Sequence, residues 1–168
     1  FYSAPRAWRR WILLLASYFF YMCWNARFIV LLLVLTAIDF TAGLWLARVA
    51  GPKRKLAVGM SLAANLGFLG FFKYYNFVAS NVALALGMPP HSFALDIILP
   101  MGISFHTFQS MSYVIDVYRG EQKAIRDPVD YALYIAFFPQ LVAGPIVRAR
   151  DFFGDLGRWR APDAEEQL

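Results

Sequence analysis

Residues 97–120, IILPMGISFHTFQSMSYVIDVYRG, combine a membrane-length apolar run with a row of polar groups that lipid does not tolerate. Gly102, His106, Gln109, Tyr113 and Asp116 follow one another at steps of four, three, four and three residues. That period keeps all five near one face of an α-helix. Such a face can sit against other helices or along a water-filled cavity, and hardly against lipid. The spacing predicts a helix over 97–118 whose polar side lines something inside a larger helical assembly.

Composition points the same way. The chain is 60% hydrophobic, 18% aromatic and 16% charged, with a mean hydropathy of +0.48. Soluble domains average about 45–50% apolar and about 25% charged residues. The net charge of +5 is carried by basic clusters between apolar runs. Clusters so placed read as cytoplasmic membrane flanks, and no nucleic-acid partner is expected. Cys23 is the only cysteine here, so no disulfide forms within these residues and no cysteine-based metal site is visible.

The pattern predicts an all-α, polytopic transmembrane helix bundle with about four spans and a short broken or re-entrant fifth segment. The spans fall near 11–24, 28–47, 56–72 and 97–118. The first is short, roughly 21 Å at helical rise, and relies on its aromatic ends to reach the interfaces. A signal peptide is the competing reading, but no small-residue cleavage site follows and a second apolar run begins at Phe28. Asp39 lies inside the second span. Leu56–Leu86 is too long for one straight crossing, roughly 46 Å of helix, so a division is expected at Lys73. Tyr74–Leu86 would then bend along the interface or tilt. Segment 131–147 is apolar but carries Pro139, Gly144 and Pro145, which makes it broken, and 149–161 reads as an amphipathic tail on the cytoplasmic face.

Basic residues set an orientation. Arg6, Arg9 and Arg10 precede the first span, Arg48, Lys53, Arg54 and Lys55 follow the second, and Arg119, Lys123 and Arg126 follow the fourth. Alternation places residues 3–10, 48–55 and 119–126 in the cytoplasm. Arg148, Arg150, Arg158 and Arg160 break the alternation if 131–147 simply crosses. A re-entrant fifth segment removes the conflict, since broken backbone is tolerated where it lines a protein cavity.

Three blocks carry a family resemblance: GFFKYYNF at Gly70–Phe77, LPMGISFHTFQSMSYVIDVYRG at Leu99–Gly120, and FFPQLVAGPIVR at Phe137–Arg148. With RRWILLLASYFFYMCW at Arg9–Trp24, they resemble the membrane-bound O-acyltransferase family in its bacterial alginate O-acetylase-like branch. The resemblance covers the chain from about Arg9 to Phe152. It implies a multi-pass protein of the bacterial inner membrane that moves an acyl group, an acetyl group in this branch, onto hydroxyls of an exported polysaccharide. It implies as partners the lipid bilayer, the polysaccharide acceptor and other polysaccharide-modification or export proteins. It implies no bound cofactor and leaves the acyl donor open. Many more spans are expected than 168 residues hold, so the chain reads as the N-terminal part of one such membrane domain. The family's catalytic histidine is expected in a later span, beyond residue 168.

The remaining chemistry is therefore supportive. Acyl transfer to a hydroxyl needs a base and donors for the developing oxyanion. His106 could in principle be a base, but cavity lining or a hydrogen bond to a neighbouring helix is its commoner role. Gln109 and Tyr113 read as a supporting polar face. Asp116, with Arg119 three residues on, reads as a helix-end ion pair. Asp39 requires a partner from another helix that the sequence does not name. Lys73 is expected to snorkel among its aromatic neighbours, and His91 to be solvated. Pro139, Gln140, Gly144 and Pro145 suit a bent segment beside a reaction channel, with Arg148 available to an anionic group. No phosphate loop, dinucleotide fingerprint, metal-spaced cluster or nucleophile elbow is present in the sequence. Two rivals share the polar face of Gly102–Asp116: a transporter or channel subunit, and a non-catalytic partner that relays an acyl group.

Overall fold

Runs of leucine, valine, phenylalanine and alanine between glycine- and proline-marked turns leave the backbone one economical solution, the helix. The computed structural model describes residues 6–100, 102–143 and 147–160, and contains no strand among them. Seven helices follow in order: α1 Arg6–Asn25, α2 Phe28–Leu46, α3 Pro52–Ala85, α4 Ile103–Arg119, α5 Pro128–Ala136, α6 Phe138–Ala143 and α7 Ala149–Arg160. α2 lies at the centre, against α1, α3, α4 and α5, while α3 packs on α4 and α1 on α5 and α6. The largest buried side chains are Tyr113, Tyr131 and Tyr134, with Leu32, Leu35 and Leu46 of α2.

Buried polar groups sit beside an apolar core, and many large apolar side chains are exposed. Asp39, Ser61, Asn65, His106, Thr107, Gln109 and Ser110 are buried, while Trp8, Leu15, Phe19, Trp24, Leu56 and Phe77 are exposed. Polar groups inside and large apolar groups outside suit a lipid surround. α2 and α3 are long and apolar enough to cross a membrane. These features make the chain part of a membrane protein.

Several expected boundaries move. α3 is not divided at Lys73: it runs unbroken for 34 residues, about 51 Å. A single lysine carries helix propensity close to that of leucine and removes no backbone bond, so it marks no break. Lys73 extends over the Tyr74 ring, 5.5 Å from its centroid. The helix starts instead where Gly51 takes φ +64° and Pro52 occupies the first turn, and ends before Gly87 at φ +72°. α4 starts at Ile103 and not at 97, because residues 97–100 are non-helical and Gly102 adopts φ +69°. Its far end closes on Gly120 at φ +79°, where the Glu121 N–H donates to the Asp116 carbonyl at 2.9 Å. The described part of that segment, residues 131–143, falls in two helices: α5 ends at Ala136, and Phe137 leaves helical geometry with ψ 103°.

Candidate functional site

The polar row of α4 is buried along its length, and its two halves have different surroundings. At the C-terminal half, Tyr113 accepts a hydrogen bond from the Ile125 N–H at 3.0 Å and stacks on Tyr131 with ring centroids 4.8 Å apart. Its hydroxyl also lies against the α-carbon of Gly43, where a side chain would not fit. Tyr113 thus ties α2, α4 and the loop before α5 together. The expected ion pair between Asp116 and Arg119 does not form: Asp116 is buried, Arg119 is exposed, and no ion pair joins these two described residues. Arg54 of α3 also reaches this helix end. Its Nη2 donates to the Tyr118 and Val117 carbonyls at 2.7 and 3.2 Å, neutralising the negative end of the α4 dipole.

At the N-terminal half, α4 faces the break between α5 and α6. In a continuous helix the Phe138 N–H would bond the Tyr134 carbonyl. Here the two groups are parted and each is satisfied from another helix. Gln109 Nε2 donates to the Tyr134 carbonyl at 2.9 Å, and the Phe138 N–H donates to Ser17 Oγ of α1 at 3.4 Å. Ser17 keeps its own proton for the Leu13 carbonyl at 2.8 Å, so one hydroxyl both donates and accepts. Pro139 adds to the break because it has no N–H to offer the turn before it. Gln109 Nε2 also donates to Gln140 Oε1 at 3.2 Å, which joins the two sides of the break through one side chain.

The structure therefore brings His106, Gln109 and Gln140 into one neighbourhood, with His106 three residues before Gln109 on the same face. His106 is 1% exposed, and neither ring nitrogen has a hydrogen-bond partner among the described residues. Pro139 is exposed and Gln140 half-buried. Arg148 is exposed, and its carbonyl accepts the Asp151 and Phe152 N–H groups that open α7. Gly144 and Pro145 lie outside the described residues. His91 is exposed in the loop after α3.

A second polar centre surrounds Asp39, which is 0% exposed. Ser61 Oγ donates to Asp39 Oδ1 at 2.5 Å, and Asn65 Nδ2 donates to both carboxylate oxygens at 2.7 and 2.9 Å. Ser61 and Asn65 are one turn apart on α3, polar residues in an apolar run, and that spacing was the available sequence signal for them. Among the described residues, neutral groups rather than a basic residue supply these hydrogen bonds. An apolar cleft of about 520 Å³ opens beside Ser61, between Ile38 and Trp45 of α2 and Ala57 and Met60 of α3. No group of three metal-ligating side chains occurs among the described residues.

The basic segments meet at one end of the bundle. Arg10 pairs with Asp127 and, at 3.4 Å, with Asp130, while Arg54 reaches the end of α4. Burial alone would raise the Asp127 carboxyl, but the Val129 N–H and the Arg10 guanidinium outweigh it and hold that carboxyl below its ordinary range.

No family model matches the chain, and no solved structure matches it significantly. Named proteins do. The chain is 39% identical over 158 residues to a protein of Azotobacter vinelandii named "Probable alginate O-acetylase AlgI", with 90% of this chain and 31% of that protein covered. It is 39% identical over 159 residues to a protein of the same name in Pseudomonas aeruginosa, covering 90% of this chain and 30% of that one. It is 34% identical over 168 residues to a "Peptidoglycan O-acetyltransferase" of Helicobacter pylori, covering 85% of this chain and 31% of that protein. The chain thus spans under a third of the length of each of these three relatives.

Proposed function

We propose, from a chain that is a relative of the alginate O-acetylases and through them of the membrane-bound O-acyltransferase family, that the protein carrying it acylates an exported polysaccharide. The group transferred is an acetyl group. The acceptor hydroxyl oxygen bonds to the acyl carbon, the bond from that carbon to the donor's leaving group breaks, and the hydroxyl proton passes to a base. The observation that carries this reading is the pair of names among the relatives: one set acts on alginate, another on peptidoglycan. The acceptors in those names differ and the chemistry is shared, which supports O-acetyl transfer to a glycan for the complete protein.

In this reading the chain supplies scaffold and site lining, with the general base on a histidine beyond residue 168. His106 serves as a lining group. Crossings by α1, α2, α3 and α4 place the shared basic end in the cytoplasm of a bacterial inner-membrane protein. The meeting of Arg10, Arg54 and the end of α4 supports that orientation. The α5–α6 break supports a re-entrant segment, because its parted backbone groups are held by protein and not by lipid. The test is complementation: the complete protein is expressed in a polysaccharide-exporting host deleted for its own O-acetylase. Return of alkali-labile acetyl on the exported polymer is expected, and polymer that stays unacetylated overturns the reading.

A further inference from the structure

The orientation of two glutamine amides at the α5–α6 break can be deduced rather than assumed. A backbone carbonyl only accepts, so the Gln109 group 2.9 Å from the Tyr134 carbonyl is its NH2. The same nitrogen donates to Gln140 Oε1 at 3.2 Å, the orientation in which a donor meets an acceptor. Gln140 is left with Nε2 turned away from Gln109, carrying two hydrogens that no described residue accepts. The residue is half-buried. Ser17 fixes the position from the other side by holding the Phe138 N–H, and Phe20 packs on the Phe138 ring with centroids 5.6 Å apart.

We propose that Gln140 is a substrate-binding donor, offering its Nε2 hydrogens to a neutral oxygen of the transfer reaction, with Gln109 and Ser17 as positioning residues. The assignment rests on the acyl-transfer reading above and deepens it. A neutral amide donor suits a carbonyl or hydroxyl oxygen rather than an anion. Two substrates provide one: the acyl carbonyl of the donor and the hydroxyl of the polysaccharide. A purely structural Gln140 would need only its Oε1, the atom that Gln109 holds.

Gln140→Glu separates the two roles. It keeps acceptor oxygens for Gln109 and removes both outward hydrogens. In membrane vesicles carrying the complete protein, Gln140→Glu is expected to lower acetyl transfer on the order of 10-fold, with an unchanged unfolding temperature. The uncharged Gln140→Met is expected to fall by a similar factor. A raised KM for polysaccharide identifies the hydroxyl as the bound oxygen, while a lowered kcat at constant KM identifies the acyl carbonyl. Ser17→Ala is expected to lower transfer and Ser17→Thr, which keeps the hydroxyl, to restore it. Gln140→Glu that transfers at the parent rate, or that loses activity only in proportion to folded protein, overturns the assignment. A parent protein that transfers no acetyl group instead removes the acyl-transfer reading, and the assignment with it.

Discussion

Gly43→Ala tests whether Tyr113 is the fixed point of the bundle. A β-carbon at position 43 would come 2.6 Å from the Tyr113 hydroxyl oxygen and 2.9 Å from its Cε1. Contacts under 3.0 Å require something to move, and a flexible side-chain tip would move cheaply. Tyr113 is not such a tip: it is 0% exposed, its ring stacks on Tyr131, and its hydroxyl accepts from Ile125. Overpacking a filled interior costs about 1–3 kcal/mol. Loss of the Ile125 hydrogen bond adds about 1 kcal/mol. For a complete protein of the relatives' length, about three times this chain, the shift is roughly 1 °C per kcal/mol, so Tm should fall by about 2–4 °C. The assay is thermal unfolding of the complete protein in detergent, parent against variant, together with Gly43→Ala/Tyr113→Phe. Removing the hydroxyl takes away the 2.6 Å contact, so the double variant should recover part of the loss and the two changes should not add. A Gly43→Ala protein as stable as its parent would refute the reasoning.

Other perturbations follow from the same contacts. Asn65→Leu strips two donors from the buried Asp39 and should destabilise by about 1–3 kcal/mol, with Asp39→Asn/Asn65→Leu less damaged than the sum of the single changes, as thermal unfolding would show. Arg54→Leu removes a cation at the α4 C-terminus and should cost about 1–2 kcal/mol in the same assay, more than Lys55→Leu on the exposed neighbour. The Asp127 carboxyl titrates below its ordinary 3.8 in the folded protein. The stability it contributes is therefore fully present above pH 3.8 and is lost as pH falls through the lower folded value. Asp127→Asn should flatten that acid limb of the stability curve and leave the neutral region with no comparable slope.

Legibility of the sequence varied with the range of the interaction. The polar face of α4 was readable because helical period alone places His106, Gln109, Tyr113 and Asp116 together. The break near Pro139 was readable because proline has one local meaning inside an apolar run. The start of α4 was misjudged by hydropathy, which counts Ile97 and Ile98 as span and does not register that Gly102 takes a left-handed turn. The continuity of α3 was misjudged because Lys73 was treated as a divider, although charge alone does not interrupt a backbone ladder. The partners of Asp39 were out of reach for a different reason. Ser61 and Asn65 are 22 and 26 residues away, and the register of α3 on α2 sets the contact. Ser17 escaped notice as one small polar residue in an apolar helix. Its role appears only when the Phe138 N–H, 121 residues later, is seen to lack its helical partner.

The central claim is chemical: the protein carrying this chain makes an acetyl ester on an exported glycan. The direct measurement is mass spectrometry of polysaccharide from vesicles that contain the complete protein, supplied with a cytosolic fraction from cells fed 13C-acetate. The expected result is labelled, alkali-labile acetyl on polysaccharide hydroxyls, present with the protein and absent from vesicles without it. Equal labelling in both preparations, or label confined to lipid and protein, would contradict the claim.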